Sequence, residues 1–437
     1  MSGPDHCTEP KGHRTEPKGH TMRSGHRPER TRPRRTAVRV GAVLAAAALV
    51  AAGCSSSDVA DSAGAEVSGS AGTATSPTLA PPTSTTPPVD PDALPGMPPV
   101  TDPHNIYSEA GAGMLSDTAQ QARPLVYVPH NDSSDVWVID QNTFEVVGKY
   151  QLSGELQHVV PSYDMKTLYA IDDTGNHATP FDPNTGTPGE TFPVIDPYNM
   201  YFTPDGAYAI SVAEARKELV WYDPHTWEVE DTTPTPECSG IDHADFSADG
   251  KTALFTCEFA GRVAVVDVLS HRLERVIDMP TRNKHMGPQD IKLAPDASKY
   301  FVADCDADGV WVVDGAATKV ERFIPTGQCA HGIYLTRDAQ RMFVTNRGEG
   351  SVSVLDAYTG EPITKWHIPG GGSPDMGGLN AAGTQLWLSG RYDDAVYVLD
   401  TSDGHLITKI PVGDGPHGLA VWPQPGRYSL GHTGITR

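Results

Sequence analysis

Short strands in which hydrophobic and polar residues alternate recur from residue 124 to residue 423. Each copy contains a hydrophobic strand that ends in aspartate, and consecutive aspartates lie 41 to 47 residues apart. These strands are Val136–Asp140, Thr179–Asp182, Leu219–Asp223, Val263–Asp267, Val310–Asp314, Val352–Asp356 and Val396–Asp400. A period of this length, with several short strands in each copy, is typical of propeller blades. Seven copies predict an all-β, seven-bladed β-propeller of four-stranded blades.

The two ends of the repeat region predict how the ring closes. The first copy starts at Leu125 and lacks an innermost strand, whereas the last copy is followed by a spare strand at Pro416–Pro423. We expect this spare strand to complete the first blade, because closure removes the open edges of the sheets. The predicted propeller covers residues 124–430, and residues 101–123 form a lead-in segment.

An export signal is predicted over residues 1–53. A basic stretch precedes the apolar run Val40–Gly53, which is too short to span a bilayer but suits a signal sequence. Val50–Cys54 resembles a bacterial lipobox, so we expect Cys54 to be lipidated and to anchor an exported protein to the outer face of the cytoplasmic membrane. Ordinary signal-peptidase cleavage is the alternative, and Arg34-Arg35 leaves both the Sec and the twin-arginine routes open.

Residues 1–21 contain the near-repeat TEPKGH and do not resemble a signal, so Met22 is the better candidate start. Residues 54–100 are rich in Ser, Thr, Ala and Pro, a composition typical of a flexible, disordered linker. From Cys54 onwards the chain has 23 basic and 51 acidic residues, a net charge of −28. This charge argues against nucleic acid as a partner and is compatible with cation binding.

Topology separates the polar residues of the blades onto two faces. Twelve aspartates fall in tight turns on one face, where their side chains are expected to accept hydrogen bonds from turn amides. The opposite face, at the mouth of the central channel, receives the candidate functional residues. The candidate ligand or metal-binding residues are His130, His158, His243, His331, Asp375 and His417, and the other predicted mouth residues are Glu258, Asp290, Arg347 and Arg391.

Three repeat segments resemble a known family. Gly415–Val421, Met342–Asn346 and Val352–Asp356 are similar to the YVTN repeat of YncE-like propellers, as found in bacterial, actinobacterial-type surface lipoproteins. The resemblance covers residues 124–423 and implies the fold. It indicates function only weakly, because relatives include binding proteins and proteins related to quinoprotein dehydrogenase subunits. It also implies that a histidine where a blade begins can simply hydrogen-bond a neighbouring blade.

The candidate histidines therefore allow three interpretations: structural hydrogen bonding, a site for a small ligand or a protein partner, and a metal site for zinc or copper. For the metal site, His331 and His417 are the first choice of ligands, with Asp375 beside them. Binding would then weaken as the pH falls through the histidine range near 6.5.

Four cysteines in the propeller predict disulfides, because the chain is exported and the number is even. Four cysteines allow three pairings. Cys238 and Cys257 flank the first two strands of one blade, and Cys305 and Cys329 adjoin at the same face. We predict Cys238–Cys257 and Cys305–Cys329. A thiolate metal site ranks lower, since the cysteines lack Cys-x-x-Cys spacing.

The sequence ranks three functions. The first is a non-enzymatic, surface-anchored binding module that presents the polar channel mouth to a ligand or protein partner. The second is an extracytoplasmic carrier or sensor of divalent zinc or copper. The third is a lactonase-type hydrolase or a quinoprotein-dehydrogenase-related subunit. No Gly-x-Ser-x-Gly, His-Glu-x-x-His or Walker motif occurs in the chain, so the sequence favours binding over catalysis.

Overall fold

The computed structural model describes residues 91–283 and 285–437. The predicted signal, Cys54 and most of the predicted linker lie outside the described residues. Within them, no helix is long and apolar enough to cross a membrane. The helical elements described are two short 3-10 turns, Ser108–Ala110 and Ala119–Gln121.

Seven antiparallel sheets form the blades of a ring, as predicted. Blade 1 contains β1 (Leu125–Pro129), β2 (Asp135–Asp140), β3 (Val146–Gln151) and β29 (Ala420–Trp422). Blade 2 contains β4 (Leu156–Pro161), β5 (Leu168–Asp172), β6 (His177–Asp182), β7 (Thr187–Pro188) and β8 (Phe192–Pro193). Blade 3 contains β9 (Pro197–Phe202), β10 (Ala209–Ala213), β11 (Glu218–Tyr222) and β12 (Val229–Pro234). Blade 4 contains β13 (Ile241–Phe246), β14 (Thr252–Cys257), β15 (Arg262–Asp267) and β16 (Arg272–Asp278).

The remaining three blades follow the same order. Blade 5 contains β17 (Pro288–Leu293), β18 (Lys299–Asp304), β19 (Gly309–Asp314) and β20 (Val320–Pro325). Blade 6 contains β21 (Ala330–Leu335), β22 (Arg341–Asn346), β23 (Ser351–Asp356) and β24 (Pro362–His367). Blade 7 contains β25 (Pro374–Leu379), β26 (Gln385–Gly390), β27 (Ala395–Asp400) and β28 (Leu406–Pro411). In blade 2 the outermost strand is split, and both β7 and β8 pair with β6.

The late strand β29 closes the ring. It pairs antiparallel with β1, with Leu125 opposite Trp422 and Tyr127 opposite Ala420. The prediction that this part of the chain completes blade 1 is confirmed, although the paired segment is shorter than the predicted strand. Closure leaves the innermost strand of every blade facing the central channel, which is where the candidate site forms.

Hydrophobic side chains fill the space between adjacent blades in seven clusters. Strand β1 shows why apolar residues are needed at consecutive positions of an inner strand. Leu125 and Tyr127 pack against blade 2, whereas Val126 and Val128 pack against blade 7. Successive side chains of a strand point to opposite faces, so a blade that is buried on both faces needs apolar residues at both sets of positions.

The turn aspartates have the structural role predicted for them. Asp140 accepts hydrogen bonds from the amides of Asn142 and Thr143 at the outer turn of blade 1, at 2.9 and 3.2 Å. Asp205 accepts one from the amide of Ala207 in an inner turn of blade 3 at 3.1 Å. These bonds satisfy turn amides that no strand partner reaches.

Chain on both sides of the repeat region packs against the ring. Leu94 and Met97 lie in the core between blades 3 and 4, although the sequence places them in the linker. Residues 423–437 continue past β29, and Leu430 packs in the same core. The guanidinium of Arg437 donates to Asp245 at 2.8 Å and to the carbonyl of Phe246 at 2.6 Å. This tail segment therefore reaches the innermost strand of blade 4.

Both predicted disulfides are confirmed. Cys238 is bonded to Cys257, and Cys305 is bonded to Cys329. Each bond ties a segment that leads into an innermost strand to the end of a neighbouring second strand. Cys329 also lines a cavity at the channel mouth.

Candidate functional site

Five imidazoles converge in the central channel. The rings of His158, His243, His331, His417 and His432 are each at most 2% exposed. Their neighbouring centroids are 4.8 to 6.1 Å apart. His158, His243 and His331 lie on the innermost strands β4, β13 and β21, and His417 lies just before β29. Four blades thus contribute one imidazole each to this group.

The first histidine trio comprises His158, His243 and His432, whose ligand nitrogens all lie within 4.8 Å of one another. Nε2 of His158 is 3.3 Å from Nε2 of His243. Nδ1 of His158 donates to the carbonyl of Tyr198 at 2.9 Å, because a carbonyl can only accept. Nε2 of His158 therefore presents a lone pair in the neutral ring.

A carboxylate faces the other side of His243. Oδ1 of Asp242 is 2.6 Å from Nδ1 of His243. When Asp242 is ionised, this contact favours the proton on Nδ1 and a second lone pair on Nε2. Two lone pairs then face each other across 3.3 Å. In a tetrahedral zinc site with Zn–N bonds near 2.05 Å, two ligand nitrogens are about 3.3 Å apart.

His432 brings the third imidazole from the tail segment. Asn199 donates from Nδ2 to Nδ1 of His432 at 2.9 Å, while the amide of Met200 donates to Oδ1 of Asn199 at 2.8 Å. In this arrangement Nε2 of His432 carries the proton, and it is buried without a hydrogen-bond partner. Ligation through Nε2 requires Asn199 to rotate its amide so that its oxygen accepts from Nδ1.

The second trio comprises His331, Asp375 and His417, the residues that the sequence ranks first for a metal. Two guanidinium groups accompany it. Nη1 of Arg347 is 3.1 Å from Oδ1 of Asp375, and Nη1 of Arg391 is 3.9 Å from Oδ2. Nδ1 of His331 lies 3.1 Å from Oδ1 of the same carboxylate. Asp375 is thus already surrounded by positive charge, which opposes a divalent cation.

Two predicted site residues have structural contacts instead. His130 makes no ring contact with the channel imidazoles described here. Its Nδ1 faces the carbonyl of Asp135 at 3.1 Å, and its Nε2 accepts from the amide of Gly413 at 3.1 Å. Asp290 accepts from the amides of Ile291 and Ile333 at 2.9 and 2.8 Å, which ties blade 5 to blade 6.

Burial sets the protonation of the cluster. Desolvation lowers the pKa of all five imidazoles below the ordinary value, and that of His243 to about 4. The pKa values of the other four are lowered further because protonation would bring repulsion from arginine side chains, such as Arg347 beside His331, and from any other imidazole that is protonated. All five rings are therefore neutral at pH 7, which is the form that binds metal ions.

Carboxyl groups of blades 3 to 5 line the adjoining part of the mouth. Burial and the neighbouring Asp290 raise the pKa of Asp242 well above its usual range. Burial and Asp242 raise the pKa of Glu258 to about 7 and that of Glu214 to about 8. No described atom forms an aligned hydrogen bond with either oxygen of Asp242. A cation in the first trio would lie close to this group of acids.

Comparison with known proteins supports the architecture. Residues 282–425 match the family model of the YncE-like β-propeller. This chain is similar to the YncE-like propellers. The uncharacterized YncE proteins of Salmonella typhi and Salmonella typhimurium are each 28% identical over 160 residues, which cover 35% of this chain and 44% of the relative. The match therefore spans less than half the length of these YncE proteins.

Solved structures share the propeller at low identity. A functionally unknown protein from Desulfotomaculum acetoxidans has a TM-score of 0.57 and 15% identity, over 68% of this chain and 98% of that one. Hydrazine synthase from Kuenenia stuttgartiensis has a TM-score of 0.51 and 18% identity, over 60% and 87%. Dihydro-heme d1 dehydrogenase NirN, in complex with DHE, has a TM-score of 0.52 and 14% identity, over 70% and 78%. At these identities the likeness shows the fold alone.

The site contains residues that sequence reasoning did not select. His432 and Asn199 lie in the first trio and its surroundings, and Glu214 is among the buried acids. Asn199 occupies the position in the blade 3 repeat that corresponds to the histidines, so the YncE-like repeat contained a signal for it. His432 follows the last repeat, and the repeat pattern carries no signal for its position.

Proposed function

We propose that this protein is an exported binding propeller that holds one divalent transition-metal ion, preferentially Zn²⁺, on His158, His243 and His432. The fold and the YncE-like resemblance are compatible with binding proteins of several kinds. Among the functions ranked from the sequence, the channel geometry favours the second, an extracytoplasmic carrier or sensor of divalent zinc or copper.

The observation that carries the proposal is the 3.3 Å separation of the Nε2 atoms of His158 and His243. Nδ1 of His158 donates to a carbonyl, a partner that usually orients a metal-binding histidine, and Nδ1 of His243 lies 2.6 Å from a carboxylate oxygen without an aligned hydrogen bond. The separation equals the ligand spacing of a tetrahedral site, which suits Zn²⁺ better than the tetragonal geometry that Cu²⁺ prefers. Three protein ligands leave a fourth position for water or another ligand.

Electrostatics supports the same trio. Its three rings are neutral, and Asp242 offers a buried negative charge behind His243 when ionised. A bound cation would stabilise that ionised form and offset the repulsion between Asp242 and Asp290. The second trio lacks this advantage, because Arg347 and Arg391 already compensate Asp375. We therefore assign the metal to His158, His243 and His432 rather than to His331 and His417.

Calorimetric titration of Zn²⁺ into chelator-treated protein tests the assignment. We expect one ion per chain in the parent protein and in His331→Ala/His417→Ala, and no binding in His158→Ala/His243→Ala. The two double variants remove equally buried imidazoles, so they are matched in their cost to folding, and circular dichroism checks that both fold. Loss of binding only in His331→Ala/His417→Ala, or absence of binding in the parent, would contradict the assignment.

The lipid anchor is a separate part of the proposal, supported by the sequence around Cys54. Cys54→Ala should move the protein from the membrane fraction into the medium, while zinc binding by the released propeller stays unchanged. A Cys54→Ala variant that remains as membrane-bound as the parent would place the anchor elsewhere. Neither outcome affects the assignment of the metal ligands.

A further inference from the structure

Two guanidinium groups share one carboxylate at the channel mouth between blades 6 and 7. Arg347 and Arg391 both approach Asp375, at 3.1 and 3.9 Å. Within 4 Å of either guanidinium, the described residues supply no other carboxylate. The immediate surroundings of this group therefore have an excess of one positive charge.

Both guanidinium groups have donors without a good acceptor. Arg347 is 7% exposed, and Nη2 of this residue reaches only Sδ of Met286 and Sγ of Cys329, both at 3.7 Å. Sulfur is a weak acceptor. Nη1 of Arg391 is buried and has no hydrogen-bond partner among the described residues. Buried donors of a charged group are normally paired, so these unpaired N–H groups of Arg347 and Arg391 indicate that an acceptor is missing.

A cavity of about 430 Å³ opens beside the guanidinium of Arg347. Its lining includes Arg347, Met286, Ser373 and Tyr392. The ring of Tyr392 is 68% exposed, and the guanidinium carbon of Arg347 lies 5.8 Å from its centroid. The size falls within the range of small-molecule pockets, which combine apolar walls with a few polar groups.

The one acid that lines this cavity is already engaged. Oδ2 of Asp393 accepts from the hydroxyls of Ser373 and Tyr397, both at 2.6 Å. Oδ1 of Asp393 lies 4.0 Å from Nζ of Lys409, which offsets its charge, and the hydroxyl bonds keep Oδ2 away from the guanidinium donors. The cavity thus presents cationic donors on one side and the exposed surfaces of Met286 and Tyr392 on the other.

We infer that this cavity binds a small organic monocarboxylate. Its carboxylate would accept from Arg347, since a guanidinium matches the planar geometry of a carboxylate, and its apolar body would rest against Met286 and Tyr392. A single negative charge cancels the local excess, whereas a doubly charged phosphate would leave an uncompensated charge near Asp375 and Asp393. The site uses none of the proposed metal ligands and stands independently of the metal.

Titration of benzoate into chelator-treated protein, followed by calorimetry or by NMR, tests this site without any metal present. We expect saturable benzoate binding, no binding of neutral benzamide, and weaker competition by inorganic phosphate than by acetate. Arg347→Gln should weaken benzoate binding by about 10- to 100-fold, the usual effect of losing hydrogen bonds to a charged group.

Two further variants guard against a simple failure to fold. Tyr392→Ala removes an exposed ring, so it should weaken benzoate binding severalfold and leave the thermal unfolding midpoint unchanged. Arg341→Gln removes an arginine outside the cavity and should bind benzoate as the parent does. Absence of benzoate binding, equal affinity in Arg347→Gln and the parent, or preference for phosphate would each overturn the inference.

Discussion

Nε2 of His158 lies 3.3 Å from Nε2 of His243, although 85 residues separate them and they belong to blades 2 and 4. The intervening blade 3 has Asn199 at the matching position, and its shorter side chain leaves space for the two rings to meet. Asn199 in turn holds His432 from the tail segment. A repeat that places one side chain per blade has thus produced a compact group of imidazoles at one side of the channel.

Replacing Asn199 by aspartate should strengthen zinc binding. One carboxylate oxygen can still accept from the amide of Met200, while the other accepts from Nδ1 of His432 and leaves Nε2 free to ligate. Carboxylate partners of metal-bound histidines change affinity by about 10- to 100-fold. We expect Asn199→Asp to lower the dissociation constant for Zn²⁺ by at least about tenfold in a competition assay with a fluorescent chelator.

Asn199→Leu, which has a similar volume and no hydrogen-bonding group, is the control for this substitution and should not improve affinity. An Asn199→Asp protein that binds Zn²⁺ no more tightly than the parent would show that His432 is not a ligand.

Zinc should stay bound at a lower pH than at an ordinary histidine site. Protons compete with the metal only as the pH approaches the ligand pKa, which is near 6.5 for an exposed histidine. Burial lowers the pKa of His243 to about 4 and keeps those of His158 and His432 well below the ordinary value. The pH range in which zinc binding weakens therefore lies below the range near 6.5 that the sequence predicts.

Equilibrium dialysis between pH 7.5 and pH 4 measures this shift. We expect zinc affinity to change little down to about pH 5.5 and to fall steeply only near pH 4.5 and below. Protonation of Glu258 within the upper part of this range should have a smaller effect, because Glu258 is not a ligand. A tenfold loss of affinity per pH unit that begins at pH 6.5 would contradict the description of these imidazoles as buried and neutral.

The sequence predicted the features that the repeat itself encodes. Strand-end aspartates such as Asp140 mark the turns, and the spare strand around Val421 had no other blade to complete. The two disulfides followed from cysteines such as Cys238 and Cys257, which adjoin once strand order is known. Four of the five channel histidines were also selected, because each lies where the first strand of its blade begins.

The rest of the site depends on contacts that no repeat position records. His432 reaches the channel only because the tail segment packs against blades 3 and 4 through residues such as Leu430. His130 also has a repeat position, at the end of a second strand, but both its ring nitrogens are occupied where blade 1 meets the end of blade 7. The charge around Asp375 depends on the side-chain positions of Arg347 and Arg391, which strand spacing does not determine.

Glu214→Gln should stabilise the propeller at alkaline pH. Burial and the neighbouring Asp242 raise the folded-state pKa of Glu214 to about 8, well above the value near 4.3 in an unfolded chain. The stability contributed by protonated Glu214 is thus fully present below about pH 4.3 and is lost progressively as the pH rises to about 8. Glutamine stays neutral and avoids this loss.

Thermal and urea unfolding at several pH values measure this effect. The two proteins should be equally stable near pH 4, and Glu214→Gln should be more stable at pH 8.5 by on the order of 2 kcal/mol, after allowance for solvent screening at this partly exposed group. Glu230→Gln, at an exposed position of blade 3, is the matched control and should show no such pH-dependent gain. Equal stability of Glu214→Gln and the parent at pH 8.5 would contradict the prediction.

Each disulfide should contribute measurably to stability. The bonds close loops of 19 and 24 residues, for which the chain-entropy model gives about 3 kcal/mol each. Cys305→Ala/Cys329→Ala and Cys238→Ala/Cys257→Ala should both lower the free energy of unfolding by about this amount in urea denaturation. Reduction of the parent by dithiothreitol should reproduce the loss. A loss below about 1 kcal/mol in both variants would show that the unfolded chain is not restrained in this way.

Anomalous diffraction from crystals soaked in Zn²⁺ locates the ion without any substitution. The assignment of the metal to His158, His243 and His432 predicts one strong peak at the zinc edge, within about 2.1 Å of Nε2 of both His158 and His243, with His432 as the third ligand. A peak between His331 and Asp375, or no peak in the channel of a crystal soaked to saturation, would contradict it.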